Sequence, residues 1–164
     1  MTAASVVVED ARSDDDSPGV EIDPVRWQRL AAACLGTERA VGELTLTFID
    51  EVEIAELNLE HMGIDGATDV LSFPMDDTPI AGVPTLLGDI VISPAVAERQ
   101  FADHAGTLDD ELALLVVHGV LHVLGHDHAE VDEAATMRSR ELALLEAHHW
   151  AGPAPSGFRH LHAD

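Results

Sequence analysis

Leu112-Ala-Leu-Leu-Val-Val-His118-Gly-Val-Leu-His122-Val-Leu-Gly125-His126-Asp127-His128 is the segment around which we expect the rest of the chain to pack. From Leu112 to Leu124 it is apolar almost all round, a pattern typical of a helix that is buried on most of its faces. Thr107, followed closely by three acidic residues, suits the N-terminus of this helix because carboxylates are favoured at the positive end of the helix dipole. The sequence therefore predicts a central buried helix.

The histidines of this segment have the spacing of metal ligands. His118 and His122 are four residues apart, so on a helix their side chains lie on one face, one turn apart. Gly125 can end the helix in a left-handed conformation, and His128 can then approach the same point from a loop. Three imidazoles leave a tetrahedral zinc ion one position for water, which can ionise near neutral pH and act as the nucleophile. We predict one Zn²⁺ held by His118, His122 and His128.

Several readings of the neighbouring residues remain open. One or two of the three histidines could be core or surface residues with ordinary hydrogen bonds. His126 could face solvent, replace one ligand or contact substrate, and solvent is the first expectation. For Asp127 we expect capping of the next helix or orientation of an imidazole, ahead of direct action on the bound water. The catalytic side chain beside the zinc-bound water is therefore not assigned, and Asp127 is only a weak candidate for it.

The spacing His-x-x-x-His-x-x-Gly-x-x-His also occurs in zinc peptidases, where a glutamate directly after the first histidine is the general base. Here Gly119 occupies that position. Without the carboxylate the peptidase mechanism loses its proton acceptor. The spacing supports a zinc site but weakens the alternative of a zinc peptidase or amidase.

Three ordered segments resemble the YbeY family of bacterial zinc-dependent endoribonucleases. They are His118-Gly-Val-Leu-His-Val-Leu-Gly-His-Asp-His128, Thr68-Asp-Val-Leu-Ser-Phe-Pro74 and Leu87-Gly-Asp-Ile-Val-Ile-Ser93. The resemblance covers roughly residues 40 to 148. It implies a metal-dependent endoribonuclease specific for single-stranded RNA, acting in 3′-end maturation of 16S rRNA and in ribosome quality control. It also implies that His118, His122 and His128 are the zinc ligands, and that the ribosome or small-subunit ribosomal proteins are partners.

One position departs from the family pattern. Many members carry an arginine in a motif like Asn-Leu-x-x-Arg-Gly, and here Asn58-Leu-Glu-His61-Met62-Gly63 places Met62 at that position. Methionine cannot pair with a phosphate or stabilise developing negative charge. The arginine's role is therefore vacant, moved to another arginine, or partly taken by His61. This departure favours a further alternative, a non-catalytic ribosome-assembly factor with a structural zinc.

The charge balance opposes binding to free RNA. Eight arginines, no lysine and 31 acidic residues give a formal net charge of −23, and a polyanion avoids such a surface unless its charge is locally reversed. Arg99, Arg138 and Arg140 are candidates for phosphate contacts, although surface salt bridges are the ordinary role of such residues. We expect weak binding to free RNA and recognition through a partner.

The pattern of the whole chain predicts an α+β fold. We expect residues 1–150 to form a single domain and residues 151–164 a flexible tail. The domain should contain a mixed four-stranded sheet packed with about five helices around the metal-binding helix. Strands are predicted at 5–9, 43–49, 69–73 and 88–93, and helices at 24–35, 50–61, 94–104, 107–124 and 130–148. Asp50 is predicted to cap the second helix, and Gly88-Asp89 to form a turn into an exposed strand edge.

Other sequence features bear on the location of the protein, its cysteine and its remaining histidines. No apolar run is long enough to cross a bilayer and no secretory signal is visible, so we expect a cytoplasmic protein without membrane contact. The only cysteine, Cys34, cannot form an internal disulfide and is expected to be a buried structural thiol. A second metal site is not expected at the remaining histidines of the C-terminal region, which should be exposed: His148, His149, His160 and His162. The oligomeric state is not predicted.

Overall fold

A computed structural model describes residues 4–75, 81–83 and 85–160. Within these ranges the chain forms four strands, five α-helices and one short 3₁₀ helix, Phe101–Asp103. In chain order the strands and α-helices are β1 Ser5–Asp10, α1 Pro24–Thr37, β2 Glu43–Phe48, α2 Glu51–Met62, β3 Val70–Pro74, β4 Leu86–Ile92, α3 Pro94–Gln100, α4 Leu108–Val123 and α5 Val131–His148. The predicted single α+β domain with about five helices is confirmed.

The strands form one mixed sheet in the order β1-β2-β4-β3. β2 runs parallel to both β1 and β4, whereas β3 is antiparallel to β4. The prediction of a turn at Gly88-Asp89 is wrong, because both residues lie inside β4, between β2 and β3. The register with β2 shifts just before Gly88, and glycine in a strand often marks such a bulge rather than a turn. The free edge on this side of the sheet belongs to β3.

The core is centred on α4, as the sequence predicts. Every residue from Glu111 to Leu121 is buried, and α4 packs against α1, α5 and the sheet. Thr107 caps the helix, since its Oγ1 accepts a hydrogen bond from the Asp110 N–H at 3.1 Å. α1 contributes one apolar face to the same core: Trp27, Leu30, Ala31 and Cys34. The segment predicted to bind metal is therefore carried by the most deeply buried helix of the fold.

One predicted helix cap, at the N-terminus of α2, is not formed. Asp50 occupies the N-cap position of α2, but its side chain makes no capping hydrogen bond. Its Oδ1 instead accepts a hydrogen bond from the Ser13 N–H at 2.7 Å. The loop after β1 thus competes successfully for a carboxylate that local sequence rules assign to the helix.

The Cys34 thiol is buried in the core, and burial is the main cause that raises its pKa to about 12. Because only the thiolate reacts, Cys34 should be inert in the folded protein at pH 8. We expect its reaction with a chromogenic disulfide reagent to be at least about 100-fold slower in buffer than in denaturant. Rapid stoichiometric labelling of the native protein would contradict the buried position.

The segment after α5 contacts the domain. The rings of Trp150 and Phe158 meet edge to face with centroids 4.9 Å apart, and the Arg159 N–H donates to the His104 carbonyl at 3.0 Å. The boundary at residue 150 and the flexibility of the tail stay predictions. Throughout the described part of the chain, no helix is both long and apolar enough to span a membrane.

Candidate metal site

The imidazoles of His118, His122 and His128 come together at the C-terminal end of α4. Their ring centroids are 4.5 Å apart for His118 and His122, 4.9 Å for His122 and His128, and 5.7 Å for His118 and His128. One ring nitrogen of each lies within 4.8 Å of the others. Three convergent imidazole nitrogens are a donor set suited to a zinc-type ion. The residues present therefore fit the predicted metal.

The end of α4 explains how His128 reaches the other two residues. Gly125 has a φ of 99°, a left-handed conformation that favours glycine. The His126 N–H donates to the Leu121 carbonyl at 2.9 Å and the Gly125 N–H to the His122 carbonyl at 3.0 Å. These two bonds form a Schellman motif, which satisfies the last carbonyls of the helix and reverses the chain. The predicted role of Gly125 is confirmed.

A carboxylate that the sequence motifs do not indicate lies behind His118. Glu141 of α5 lies with its Oε2 at 2.6 Å from the His118 Nδ1, and each side chain is 5% exposed. This contact assigns Nδ1 to the carboxylate and leaves Nε2 as the nitrogen to face a metal, an arrangement common around metal-binding histidines. A signal existed in the sequence, since Glu141 lies on the buried stripe of α5 with Met137, Leu144 and Leu145.

The electrostatics of the site favour the ligand forms of its residues. Burial first, and then the charges of His118 and His128, lower the pKa of His122 to about 4, so this imidazole is neutral near pH 7 and its lone pair is available to a metal. Burial alone would raise the pKa of Glu141, but hydrogen bonds from His118 and His160 lower it to about 2. Glu141 is therefore ionised and can accept both hydrogen bonds.

His126 and Asp127 are neighbours of the three histidines in the sequence, but their side chains make other contacts. His126 turns towards α1, with its Nε2 at 3.8 Å from Glu38 Oε1 and 28% of its side chain exposed. Asp127 is exposed, and its Oδ1 accepts a hydrogen bond from the His128 N–H at 2.7 Å. The predicted capping of the next helix by Asp127 is wrong, because α5 begins at Val131 with Glu130 as its N-cap residue. Its catalytic role stays a prediction.

An open cleft of about 510 Å³ adjoins His122 and His128. Its other walls come from the end of α2, the loop that follows and the free edge of β3, including Asn58, Met62, Ile64, Thr68 and Ser72. Met62 is 46% exposed and contributes a thioether where the resemblance expects a guanidinium. The Asn58 Nδ2 donates to the Gly66 carbonyl at 2.9 Å, which holds the loop in place.

The predicted phosphate-binding arginines do not line this cleft. Arg99 makes two 2.6 Å hydrogen bonds to the carboxylate of Glu51, and Arg140 pairs with Glu38. Arg138 is exposed on α5. Among the residues that the structure describes, the cleft wall contains no arginine. The salt-bridge alternative is the observed one for Arg99 and Arg140.

The position of Gly119 bears on the peptidase alternative. Gly119 faces the sheet, and a Cβ added to it would lie 2.7 Å from Ile90 Cγ2. A glutamate at this position would therefore collide with β4. Position 119 thus offers neither the general base of the zinc peptidases nor the space for it.

The remaining histidines form no second cluster with one another within the described residues. His148 is exposed, as predicted, and its Nε2 contacts Thr37 Oγ1 at 2.7 Å. His149 is not exposed, because its side chain is 4% accessible and its Nε2 lies 2.7 Å from Asp110 Oδ1. His160 is also mostly covered, through a contact with Glu141 described below. His162 lies outside the described residues.

Asp109 and Asp110 bring ligand atoms within 4.8 Å of His149. This group already has protein partners, since Asp109 pairs with Arg26 and Asp110 also accepts a hydrogen bond from Trp150. Those contacts account for its geometry without a metal.

Comparison with known proteins identifies the family. The family model described as "Endoribonuclease YbeY" matches residues 14–149. The chain belongs to the YbeY family. The matched range contains all three converging histidines and Glu141, and it ends before the segment that contacts the domain through Phe158. The resemblance of the three sequence segments is thereby confirmed at the level of the family.

Individual YbeY proteins agree with this result. The endoribonuclease YbeY of Mycolicibacterium gilvum is 49% identical over 113 residues, which is 64% of this chain and 63% of the relative. That of Thermobifida fusca is 46% identical over 135 residues, or 77% of this chain and 86% of the relative. The chain thus spans less than two thirds of the Mycolicibacterium protein.

A solved structure with the same fold is the solution structure of TM1509 from Thermotoga maritima. It matches with a TM-score of 0.56 and 23% sequence identity, covering 86% of this chain and 87% of that protein. At this identity the likeness establishes a shared fold and nothing further.

Proposed function

We propose that this chain is a zinc-dependent endoribonuclease that cuts single-stranded RNA, and that its substrate is the 3′ end of 16S rRNA during maturation and quality control of the small ribosomal subunit. The observation that carries the proposal is the convergence of His118, His122 and His128 beside an open cleft. Membership of the YbeY family supports the choice of RNA as the substrate class. Such a substrate would place the protein in the cytoplasm.

In this proposal the protein positions the metal ligands and provides a carboxylate near them. Zinc, when bound, would polarise a phosphodiester and lower the pKa of water at the site. Glu141 orients His118, and the half-buried, neutral His122 completes the helical half of the ligand set. Asp127, exposed next to His128, is the nearby carboxylate proposed to accept a proton.

The composition of the cleft surface supports weak binding to free RNA. Its described wall is built from apolar and neutral polar groups with one carboxylate, Asp65, and without an arginine. A metal ion would therefore be the main positive charge facing a phosphate. Each phosphate contact adds to RNA affinity, and this wall offers few groups that can make one. We therefore propose that the ribosome or a small-subunit ribosomal protein delivers the substrate.

The test compares zinc-reconstituted and chelator-treated protein on a 5′-labelled single-stranded RNA, the same RNA in a duplex, and casein. We expect only the single strand to be cut, and only by the reconstituted protein. A 16S rRNA precursor should be cut near its mature 3′ end. Cleavage of casein would replace the proposal with the peptidase alternative, and intact RNA with stoichiometric zinc would replace it with the assembly-factor alternative.

The M62R variant tests whether the missing guanidinium limits RNA binding. Met62 is exposed in the cleft wall, so an arginine there can reach a bound phosphate. We expect the KM for single-stranded RNA to fall by about fivefold, as one added phosphate contact permits, and the salt slope of log affinity to steepen by about 0.7. Cleavage kinetics at several salt concentrations measure both values.

Val131 provides the matched control for M62R. It is 86% exposed, lies at the start of α5 and is not among the residues that line the cleft. V131R makes the same change in net charge as M62R. If V131R lowers the KM as much as M62R, the gain comes from overall charge and the role assigned to position 62 is wrong.

A further inference from the structure

The two oxygens of the Glu141 carboxylate contact two different histidines. Oε2 lies 2.6 Å from His118 Nδ1 and Oε1 lies 3.0 Å from His160 Nε2. The side chain of His160 is 15% exposed and that of Glu141 is 5% exposed. His160 lies beyond residues 14–149, the range matched by the YbeY family. The C-terminal segment of this chain thus contacts Glu141, the carboxylate that is hydrogen-bonded to the candidate metal ligand His118.

Several contacts hold His160 in this place. The Phe158 ring packs between two neighbours, with centroids 4.9 Å from Trp150 and 5.6 Å from His160. The Arg159 N–H donates to the His104 carbonyl at 3.0 Å. Trp150 is itself fixed by a 2.9 Å hydrogen bond from its Nε1 to Asp110 at the start of α4. The approach of His160 to Glu141 is therefore supported by the two residues that directly precede it, Phe158 and Arg159.

We propose that His160 is a positioning residue of the metal site, acting through Glu141 on His118. A carboxylate with one hydrogen bond can rotate about its terminal bond and present either oxygen. A donor at Oε1 fixes that rotation, so that Oε2 stays in the plane where it accepts the His118 Nδ1–H. The orientation of the His118 ring then depends on a residue outside the matched family range. This inference rests on the metal site of the proposed function.

The experiment uses full-length H160A, H160Q and E141A proteins, with zinc affinity measured by competition against a chromophoric chelator. E141A should weaken binding by about 10- to 100-fold, the usual effect of losing a partner of a metal ligand. Because His160 acts one step further away, H160A should weaken it by about fivefold to tenfold. H160Q retains an N–H donor and should stay within about twofold of wild type.

Two further readouts separate positioning from general stability. The visible absorption bands of the cobalt-substituted protein, which respond to ligand geometry, should change in H160A and remain nearly unchanged in H160Q. The unfolding midpoint of the metal-free protein should be similar for both variants. R159A is the matched control, because the Arg159 side chain is exposed and its structural hydrogen bond comes from the backbone.

The inference is overturned if H160A binds zinc and gives the cobalt spectrum as wild type does, or if H160Q loses as much affinity as H160A. A lower midpoint with unchanged zinc affinity also overturns it, since His160 would then be merely structural. Failure of the proposed function is distinct, because it is seen in the wild type: either wild type binds no stoichiometric metal, or it binds zinc and leaves RNA intact.

Discussion

Replacing His122 with alanine is expected to lower zinc affinity by more than about 100-fold, beyond the effect of losing an outer partner of a ligand, and to reduce RNA cleavage below detection. The physical reason is that His122 is one of three converging donors, and two imidazoles leave a zinc ion with too few protein ligands. Elemental analysis of the purified protein and a single-strand cleavage assay measure the two losses. H118A should behave in the same way.

H148A is the control for this experiment. It removes the same side chain from the exposed end of α5, where His148 contacts Thr37 and is not among the residues that line the cleft. We expect H148A to retain stoichiometric zinc and full cleavage. An H122A protein that keeps both would show that the converging histidines do not hold the ion, and the assignment of the chemistry to them would have to be withdrawn.

Substituting glutamate for Gly119 is expected to destabilise the protein by about 4 kcal/mol or more, since it combines overpacking with a buried, unpaired carboxylate. A Cβ at this position would already lie 2.7 Å from Ile90 Cγ2 and 3.1 Å from Ile90 Cδ1. G119A, which adds only that atom, should cost about 1–3 kcal/mol. Denaturant unfolding measures both changes.

The matched control is G36A in α1, where a Cβ would meet nothing within 4 Å. Because alanine favours a helix over glycine, G36A should be neutral or more stable by up to about 1 kcal/mol. A G119E protein that folds with wild-type stability and cuts casein would contradict the packing of α4 on β4. It would also reopen the peptidase alternative.

The sequence was sufficient for those features that depend on neighbouring residues. The burial of α4 follows from its continuous apolar run, and the meeting of His118 and His122 follows from helical geometry. Gly125 made the return of the chain predictable because few residues other than glycine adopt the required backbone conformation. The order of the four strands, by contrast, is a property of the assembled sheet, and local patterns indicated only that the sheet is mixed.

The partners that are distant in sequence could not be predicted in this way. Glu141 meets His118 from another helix, and nothing local tells which buried acid will face which imidazole. The same limit applies to Asp50, whose carboxylate binds the Ser13 N–H instead of capping α2. Arg99 and Arg140 were candidates for RNA contacts until their carboxylate partners, Glu51 and Glu38, were known. Each of these choices is a competition between local and long-range hydrogen bonds, which only the folded chain resolves.

The contact between Glu141 and His118 has a thermodynamic consequence for the whole fold. It joins two helices, α5 and α4, through a candidate ligand, so an ion bound there would be linked to the docking of the last helix. An ion that binds the folded chain alone, at a free concentration about 100 times its dissociation constant, adds about 2.7 kcal/mol to the free energy of unfolding. The supply of metal would then set how much of the protein is folded as well as how much is active.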